Sequence, residues 1–113
     1  MVDIESNEQF GSEISRDDRV TIALFKADWC GDCHYIEPFI GRVEGGYSNL
    51  DILNIDIEKT PTIAKEYQVV GIPSFVAFKN GEIIGSFISR QRKSESEIRS
   101  FFESVIKESS LTQ

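Results

Sequence analysis

The chain has 113 residues, of which 40% are hydrophobic and 27% are charged, and these proportions are typical of one globular domain. No run approaches the roughly 18 consecutive apolar residues that a membrane-spanning helix needs, so we expect no membrane partner. Nineteen acidic residues against twelve basic ones give a formal charge of −7, which argues against a nucleic-acid partner. We therefore predict a single, monomeric domain over residues 1–113.

Apolar runs along the chain predict four β-strands. The runs are residues 20–25, 51–57, 74–78 and 83–88. The first two are rich in β-branched residues, as expected of strands that are covered on both faces. Asn80 and Gly81 lie between the last two runs and predict a β-hairpin, because both residues tolerate a positive φ. Residues 2–4 are a candidate for a short additional strand at the start of the chain.

Four segments predict α-helices, the second and fourth from apolar residues spaced three or four apart, the first from a cap at Ser6 and the third from a proline, Pro61, in its first turn. They are residues 7–14, residues 30 or 32 to about 43, residues 61 to about 67, and a last helix capped by Ser94 or Ser96. Strands and helices therefore alternate before a terminal hairpin. This order predicts an α/β fold in which a central mixed sheet of four to five strands has about four helices on its two faces.

The two cysteines of the chain, Cys30 and Cys33, lie between a predicted strand and a predicted helix. Residues three apart on a helix share a face, with α-carbons close enough for a disulfide. The free amides and dipole of the first turn favour a thiolate at Cys30, whereas Cys33 lies one turn deeper. We expect one exposed, ionisable thiol and one buried thiol that attacks second, which is the requirement of two-step dithiol–disulfide exchange.

Two other interpretations of the cysteine pair are a zinc site and a pair of inert core thiols. Structural zinc takes four ligands, and Cys30, Cys33 and His34 supply at most three. No metal is therefore predicted.

At these residues the sequence resembles the thioredoxin family, and the resemblance covers nearly the whole chain. Five motifs carry it, in the family's order along the sequence. They are Trp29-Cys30-Gly31-Asp32-Cys33, Pro38, Leu53-Asn54-Ile55-Asp56, Gly71-Ile72-Pro73-Ser74 and Phe78-Lys79-Asn80-Gly81-Glu82. The resemblance implies the thioredoxin fold and disulfide reduction, with no bound cofactor except a redox-active Cys30–Cys33 disulfide.

The family implies a role for each matching residue. Cys30 would attack a disulfide in a client protein and Cys33 would resolve the mixed disulfide, while Trp29 would cover the site. Ile72 and a cis Pro73 would form the substrate groove, with Ser89 at its border. Gly31, Asp32 and His34 would modulate the cysteines. Reducing equivalents would come from thioredoxin reductase, an NADPH-dependent flavoprotein.

The sequence departs from the family pattern beneath and beside the cysteines. Asp32 replaces the usual proline of the motif, and Lys26 replaces a common tryptophan. Leu24 falls where the family places a buried aspartate, and Ile52 falls near the lysine that partners it. The usual proton acceptor for Cys33 is therefore missing, and Glu37 is a candidate substitute.

Ser89 stands where the family has glycine, and a basic cluster follows it. The cluster consists of Arg90, Arg92 and Lys93. A solvated loop and a docking surface for clients or the reductase are both open interpretations of this cluster.

We predict a cytoplasmic protein-disulfide reductase of the thioredoxin type. Acidic residues at Asp3, Glu5 and Glu8 do not fit the basic start of a secretion signal, which favours the cytoplasm. The alternatives are a specialised redox partner or sensor for one client, and a non-catalytic binding module with this fold.

Overall fold

Five strands and four helices alternate along residues 1–111, the part of the chain that the computed structural model describes. They are β1 (Val2–Asp3), α1 (Asn7–Ile14), β2 (Val20–Lys26), α2 (Gly31–Gly45), β3 (Leu50–Asp56), α3 (Pro61–Glu66), β4 (Ser74–Lys79), β5 (Glu82–Phe87) and α4 (Glu95–Leu111). The last two residues of the predicted domain lie outside the described residues. Within the described part, no helix is long and apolar enough to cross a membrane.

The strands form one mixed sheet in the order β1-β3-β2-β4-β5. Strands β1, β3 and β2 run parallel, β4 pairs antiparallel to β2, and β5 pairs antiparallel to β4. The predicted hairpin is confirmed, because Asn80 has a φ of 55° and Gly81 a φ of 80° at the turn between β4 and β5. The mixed α/β fold class predicted from the sequence is also confirmed.

The two faces of the sheet bury separate apolar layers because successive side chains of a strand point to opposite faces. On β2, Ile22 and Leu24 pack in the layer that α2 and α4 cover. Ala23 and Phe25 pack in the layer that α1 and α3 cover. Since β2 is buried on both faces and lies centrally, its carboxyl end fixes the position of the segment that follows it.

Hydrogen bonds at the helix starts settle two boundaries that the sequence left open. Cys30 is the N-cap of α2, which begins at Gly31 and ends at Gly45, two residues later than predicted. For α4, the Ser94 hydroxyl accepts a hydrogen bond from the Glu97 amide at 3.2 Å. In return the Glu97 carboxylate accepts one from the Ser94 amide at 3.0 Å. This reciprocal capping box identifies Ser94 as the cap.

Candidate active site

Cys30 and Cys33 face each other at the junction of β2 and α2. Cys30 has an extended backbone and its sulfur accepts a hydrogen bond from the Cys33 amide, with Sγ and N 3.1 Å apart. This amide is one of the first-turn donors that have no partner inside a helix. The N-cap position thus directs a fixed donor at the Cys30 sulfur, where it stabilises a negative charge.

Both thiols are buried, so the expectation of an exposed Cys30 is wrong. Cys30 is 6% exposed and Cys33 is 2% exposed, because Ala27, Ile57 and Ile72 pack around the pair. Ala27 follows β2, Ile57 follows β3 and Ile72 precedes β4, and the sequence expectation rested on the helix position of Cys30 alone. The asymmetry between the two cysteines lies in their hydrogen bonds and not in their exposure.

The environment of Cys33 strongly favours the protonated thiol. Burial, and to a smaller extent the contact with Cys30, raises the pKa of Cys33 to about 12. The Ala27 backbone and the positive charge of Lys26 act in the opposite direction, by less. Cys33 therefore stays a thiol while Cys30 reacts, and it must lose its proton in any later step.

The segment before β4 closes the other side of the cysteine pair. The Ile72–Pro73 peptide bond is cis, as predicted, and the Ile72 carbonyl oxygen lies 3.8 Å from the Cys30 sulfur. Pro73 is buried and Ile72 is half-buried. Ser89 lies beside this segment, because a Cβ on Gly71 would come within 2.4 Å of the Ser89 carbonyl oxygen.

Trp29 and Gly31 flank Cys30 at the surface. The Trp29 side chain is 66% exposed, so most of its surface is open to solvent. Gly31 is exposed, and a Cβ at this position would meet no atom within 4 Å. Around Cys30, Trp29 and Ile72 thus present an apolar surface that a client could contact.

His34 bridges the loop before Trp29 and the first turn of α2. Its Nε2 lies 2.5 Å from the Asp28 carbonyl oxygen, and its Nδ1 lies 2.9 Å from a Glu37 carboxylate oxygen. Both partners are acceptors, and they raise the pKa of His34, the Asp28 carbonyl most and the Glu37 charge next. The predicted substitute proton acceptor, Glu37, is therefore engaged with His34 at the surface.

The predicted basic cluster forms an ordered connection between β5 and α4, which we call the basic loop (residues 88–93). The Arg92 guanidinium pairs with the Asp32 carboxylate at 3.1 Å, and Arg90 donates to the Val70 carbonyl at 3.0 Å. The loop therefore contacts both the start of α2 and the segment before the cis bond. This bridging position could not be read from the sequence.

Lys93 is the residue of this loop that sequence reasoning placed wrongly. It is 1% exposed, and its ammonium group donates to the carbonyls of Ser89 at 2.9 Å and Gln91 at 2.8 Å. Burial lowers the pKa of Lys93, although the negative charge of Asp32 and of the cysteines opposes this. The Lys93 side chain is therefore neither solvated nor free to dock a partner.

Comparison of the sequence with known proteins shows which family this chain belongs to. The Thioredoxin family model matches residues 1–104 of the chain. Thioredoxin from Callithrix jacchus is 32% identical over 100 residues, which cover 87% of this chain and 95% of that protein. The chain belongs to the thioredoxin family.

Other thioredoxins are similar to this chain over different shares of its length. Human thioredoxin is 34% identical over 85 residues, which cover 74% of this chain and 81% of that protein. Thioredoxin H2 from Arabidopsis thaliana is 32% identical over 81 residues, and the match spans 61% of that longer protein. Among solved structures, thioredoxin from Trypanosoma brucei brucei superposes with a TM-score of 0.83 at 27% identity, covering 95% of this chain and 91% of that chain.

Membership of the thioredoxin family makes this protein a thiol–disulfide oxidoreductase that reduces protein disulfides. Its redox group is the dithiol or disulfide pair of the family, and no external cofactor takes part. Among residues 1–111, no group of three or more His, Cys, Asp or Glu side chains is arranged to hold a metal ion.

The two positions where the resemblance leads us to expect a buried acid and its lysine partner, Leu24 and Ile52, lie in an apolar layer of this protein. Leu24 is 1% exposed and Ile52 is fully buried, and both pack with Ile36, one turn beyond Cys33 on α2. A layer of this kind accepts no proton. The basic groups Lys26 and Lys93 are instead the ionisable neighbours that favour a negative charge on Cys33.

Proposed function

We propose that Cys30 is the attacking thiol and Cys33 the resolving thiol when this protein reduces a disulfide in a client protein. The observation that supports the assignment is the amide of Cys33, which donates to the Cys30 sulfur at 3.1 Å. The converse arrangement is disfavoured because burial raises the pKa of Cys33 to about 12. The donated amide therefore stabilises a negative charge on the Cys30 sulfur while Cys33 remains a thiol.

The reaction proceeds in two exchange steps. The Cys30 thiolate attacks one sulfur of the client disulfide, so that a Cys30–client bond forms, the client S–S bond breaks, and the released client thiolate takes a proton. Cys33 then loses its proton and attacks the Cys30 sulfur. The Cys30–Cys33 disulfide forms and the second client thiol leaves. The client gains two electrons and two protons, and this protein loses them.

The surface around Cys30 suits an extended client segment. The Ile72 backbone lies next to the Cys30 sulfur, and such a segment can pair with backbone groups as an added strand. Trp29 and Ile72 bound this groove with apolar surface, the buried Pro73 forms the cis bond with Ile72, and Ser89 lies at its edge beside Gly71. Gly31, Asp32 and His34 act on the cysteines from the first turn of α2.

Recycling requires an electron donor, for which we propose thioredoxin reductase, the NADPH-dependent flavoprotein. A solved chain that is 25% identical, with a TM-score of 0.76, comes from a study of thiol resolution in a yeast mitochondrial 1-Cys peroxiredoxin through glutathione and thioredoxin systems. That likeness supports a protein thiol or disulfide as the client. We place this monomeric domain, residues 1–113, in the cytoplasm, where reduced thiols persist.

Trapping of clients tests the assignment of the two thiols. Cys33→Ser should accumulate mixed disulfides with client proteins, since the resolving thiol is absent, and the matched variant Cys30→Ser should accumulate none. Non-reducing gels followed by mass spectrometry of the trapped bands measure both. Trapping by Cys30→Ser alone, or equal trapping by both variants, would reverse or remove the assignment.

Turnover with NADPH and thioredoxin reductase tests the electron donor. Reduction of a protein disulfide should consume NADPH only when this protein and the reductase are both present. If glutathione with its reductase supports turnover and thioredoxin reductase does not, the proposed donor is wrong.

A further inference from the structure

Arg92 reaches from the basic loop to the carboxylate that distinguishes this chain's cysteine motif. Its Nε donates to an Asp32 carboxylate oxygen at 3.1 Å, although the two residues lie 60 positions apart. The centre of its guanidinium lies 4.3 Å from the centre of the Tyr35 ring, a distance typical of a cation–π contact. Two independent contacts therefore fix this guanidinium over the first turn of α2.

Asp32 by itself works against the attacking thiol. It is the acidic residue of the first turn of α2 and lies between Cys30 and Cys33 in sequence. A carboxylate there repels a thiolate on the same turn, and it competes with that thiolate for the positive end of the helix dipole. A positive charge held on the carboxylate removes both effects.

The fold holds Arg92 in place through its neighbours on the basic loop. The buried Lys93 ties the loop to itself through the Ser89 and Gln91 carbonyls. Arg90 ties it to the Val70 carbonyl, and the backbone of Ser89 packs against Gly71. Arg92 therefore projects from an anchored loop and not from a free one.

We propose that Arg92 is a positioning residue that neutralises Asp32 and so preserves the ease with which the Cys30 thiolate forms. The proposal rests on the proposed role of Cys30 as the attacking thiol. Lys26, Lys93, His34 and Asp28 are the other charged or titratable groups around the cysteines. The tests below leave all four unchanged.

The pH dependence of alkylation tests this proposal in the Cys33→Ser background, where Cys30 is the only thiol of the chain. Arg92→Gln should move the midpoint of the iodoacetamide rate to higher pH by roughly 0.2 to 0.7 pH units, the size that one exposed charge produces. Asp32→Asn should move it to lower pH. The double variant should return close to the parent, and Arg92→Lys should keep most of the parent's behaviour.

Arg42→Gln is the matched control, because it removes the same charge from an ion pair with Glu95 of α4, and Arg42 lies in the last turn of α2, at the opposite end of the helix from Cys30. It should leave the midpoint in place, and 1 M salt should shrink the effect of Arg92→Gln. Equal shifts in the two arginine variants, or no shift in Arg92→Gln, would overturn the proposal. If Cys33→Ser fails to trap clients, Cys30 is not the attacking thiol. The alkylation experiment would still show whether Arg92 and Asp32 affect the ionisation of Cys30.

Discussion

Two regions border Cys30, and they are built in different ways. The first is the motif segment, residues 27–34, which joins the end of β2 to the first turn of α2. The Cys33 amide reaches the Cys30 sulfur within this segment. The second is the basic loop, whose contacts with the first region run through Arg92 and span 60 positions of sequence. The contacts of the motif segment join residues that are close in sequence, whereas the basic loop contacts the motif segment through residues that are distant in sequence.

The contrast between the motif segment and the basic loop distinguishes a general feature of this fold from a feature that depends on particular residues of this chain. A helix N-cap with a following amide stabilises a thiolate in any chain that folds this way. The acid at Asp32 and the arginine that covers it depend on two elements coming together. We therefore expect changes in the motif segment to alter the reaction itself, and changes in the basic loop to adjust how readily Cys30 reacts.

The largest effect is expected beneath the motif segment, from Leu24→Asp. A carboxyl in this apolar layer should lower the free energy of unfolding by about 3 to 5 kcal/mol. Burial raises the pKa of the new carboxyl toward neutrality, where it can accept the Cys33 proton. We expect faster turnover at pH 6–7 and a lower Tm, measured by NADPH-coupled assay and thermal unfolding.

Leu24→Asn is the control for this change, because it brings a similar polarity but cannot take up the proton. It should be destabilised without any gain in turnover. If Leu24→Asp folds and its pH–rate profile matches that of the parent, proton transfer from Cys33 does not limit the reaction.

An intermediate effect is expected where the basic loop meets the segment before Pro73. Gly71→Ala places a Cβ 2.4 Å from the Ser89 carbonyl oxygen and 2.7 Å from the Arg90 α-carbon, and backbone atoms cannot yield as a flexible side chain does. We expect a loss of about 1 to 3 kcal/mol in the free energy of unfolding, measured by urea denaturation.

Gly11→Ala is the matched change in α1, where a Cβ meets no atom within 4 Å. It should stabilise the protein by up to about 1 kcal/mol because alanine is the better helix former. If Gly71→Ala and Gly11→Ala were equally stable, the close approach of the basic loop to Gly71 would not constrain the fold.

The smallest effect is expected from His34, at the solvent side of the motif segment. The Asp28 carbonyl, and then Glu37, raise the pKa of His34 above its ordinary value of 6.5. The resulting stabilisation is fully present below about pH 6.5 and is lost as the pH rises through the raised value. His34→Gln should therefore lower Tm at pH 5.5 and leave it nearly unchanged at pH 8.5. An equal change in Tm at both values would contradict protonation as the cause.

Sequence alone determined the features that depend on neighbours along the chain. Residues with alternating or helical spacing gave the strands and helices in their correct order, and Asn80-Gly81 gave the hairpin because these residues adopt positive φ. The spacing of Cys30 and Cys33 identified the site because helix geometry is local, and the resemblance of Gly71-Ile72-Pro73-Ser74 to the thioredoxin family predicted the cis bond. The roles of Trp29, Ser89 and the two thiols stay predictions.

Only the tertiary structure decided how exposed and how charged the site is. Cys30 is buried because Ile57, after β3, and Ile72, before β4, pack against it. Lys93 is buried because its ammonium group donates to two carbonyls of the folded loop. Arg92 meets Asp32 only because β5 and α4 bring the basic loop to the start of α2. Burial and ion pairing depend on which distant segments come into contact, and composition and periodicity carry no information about that.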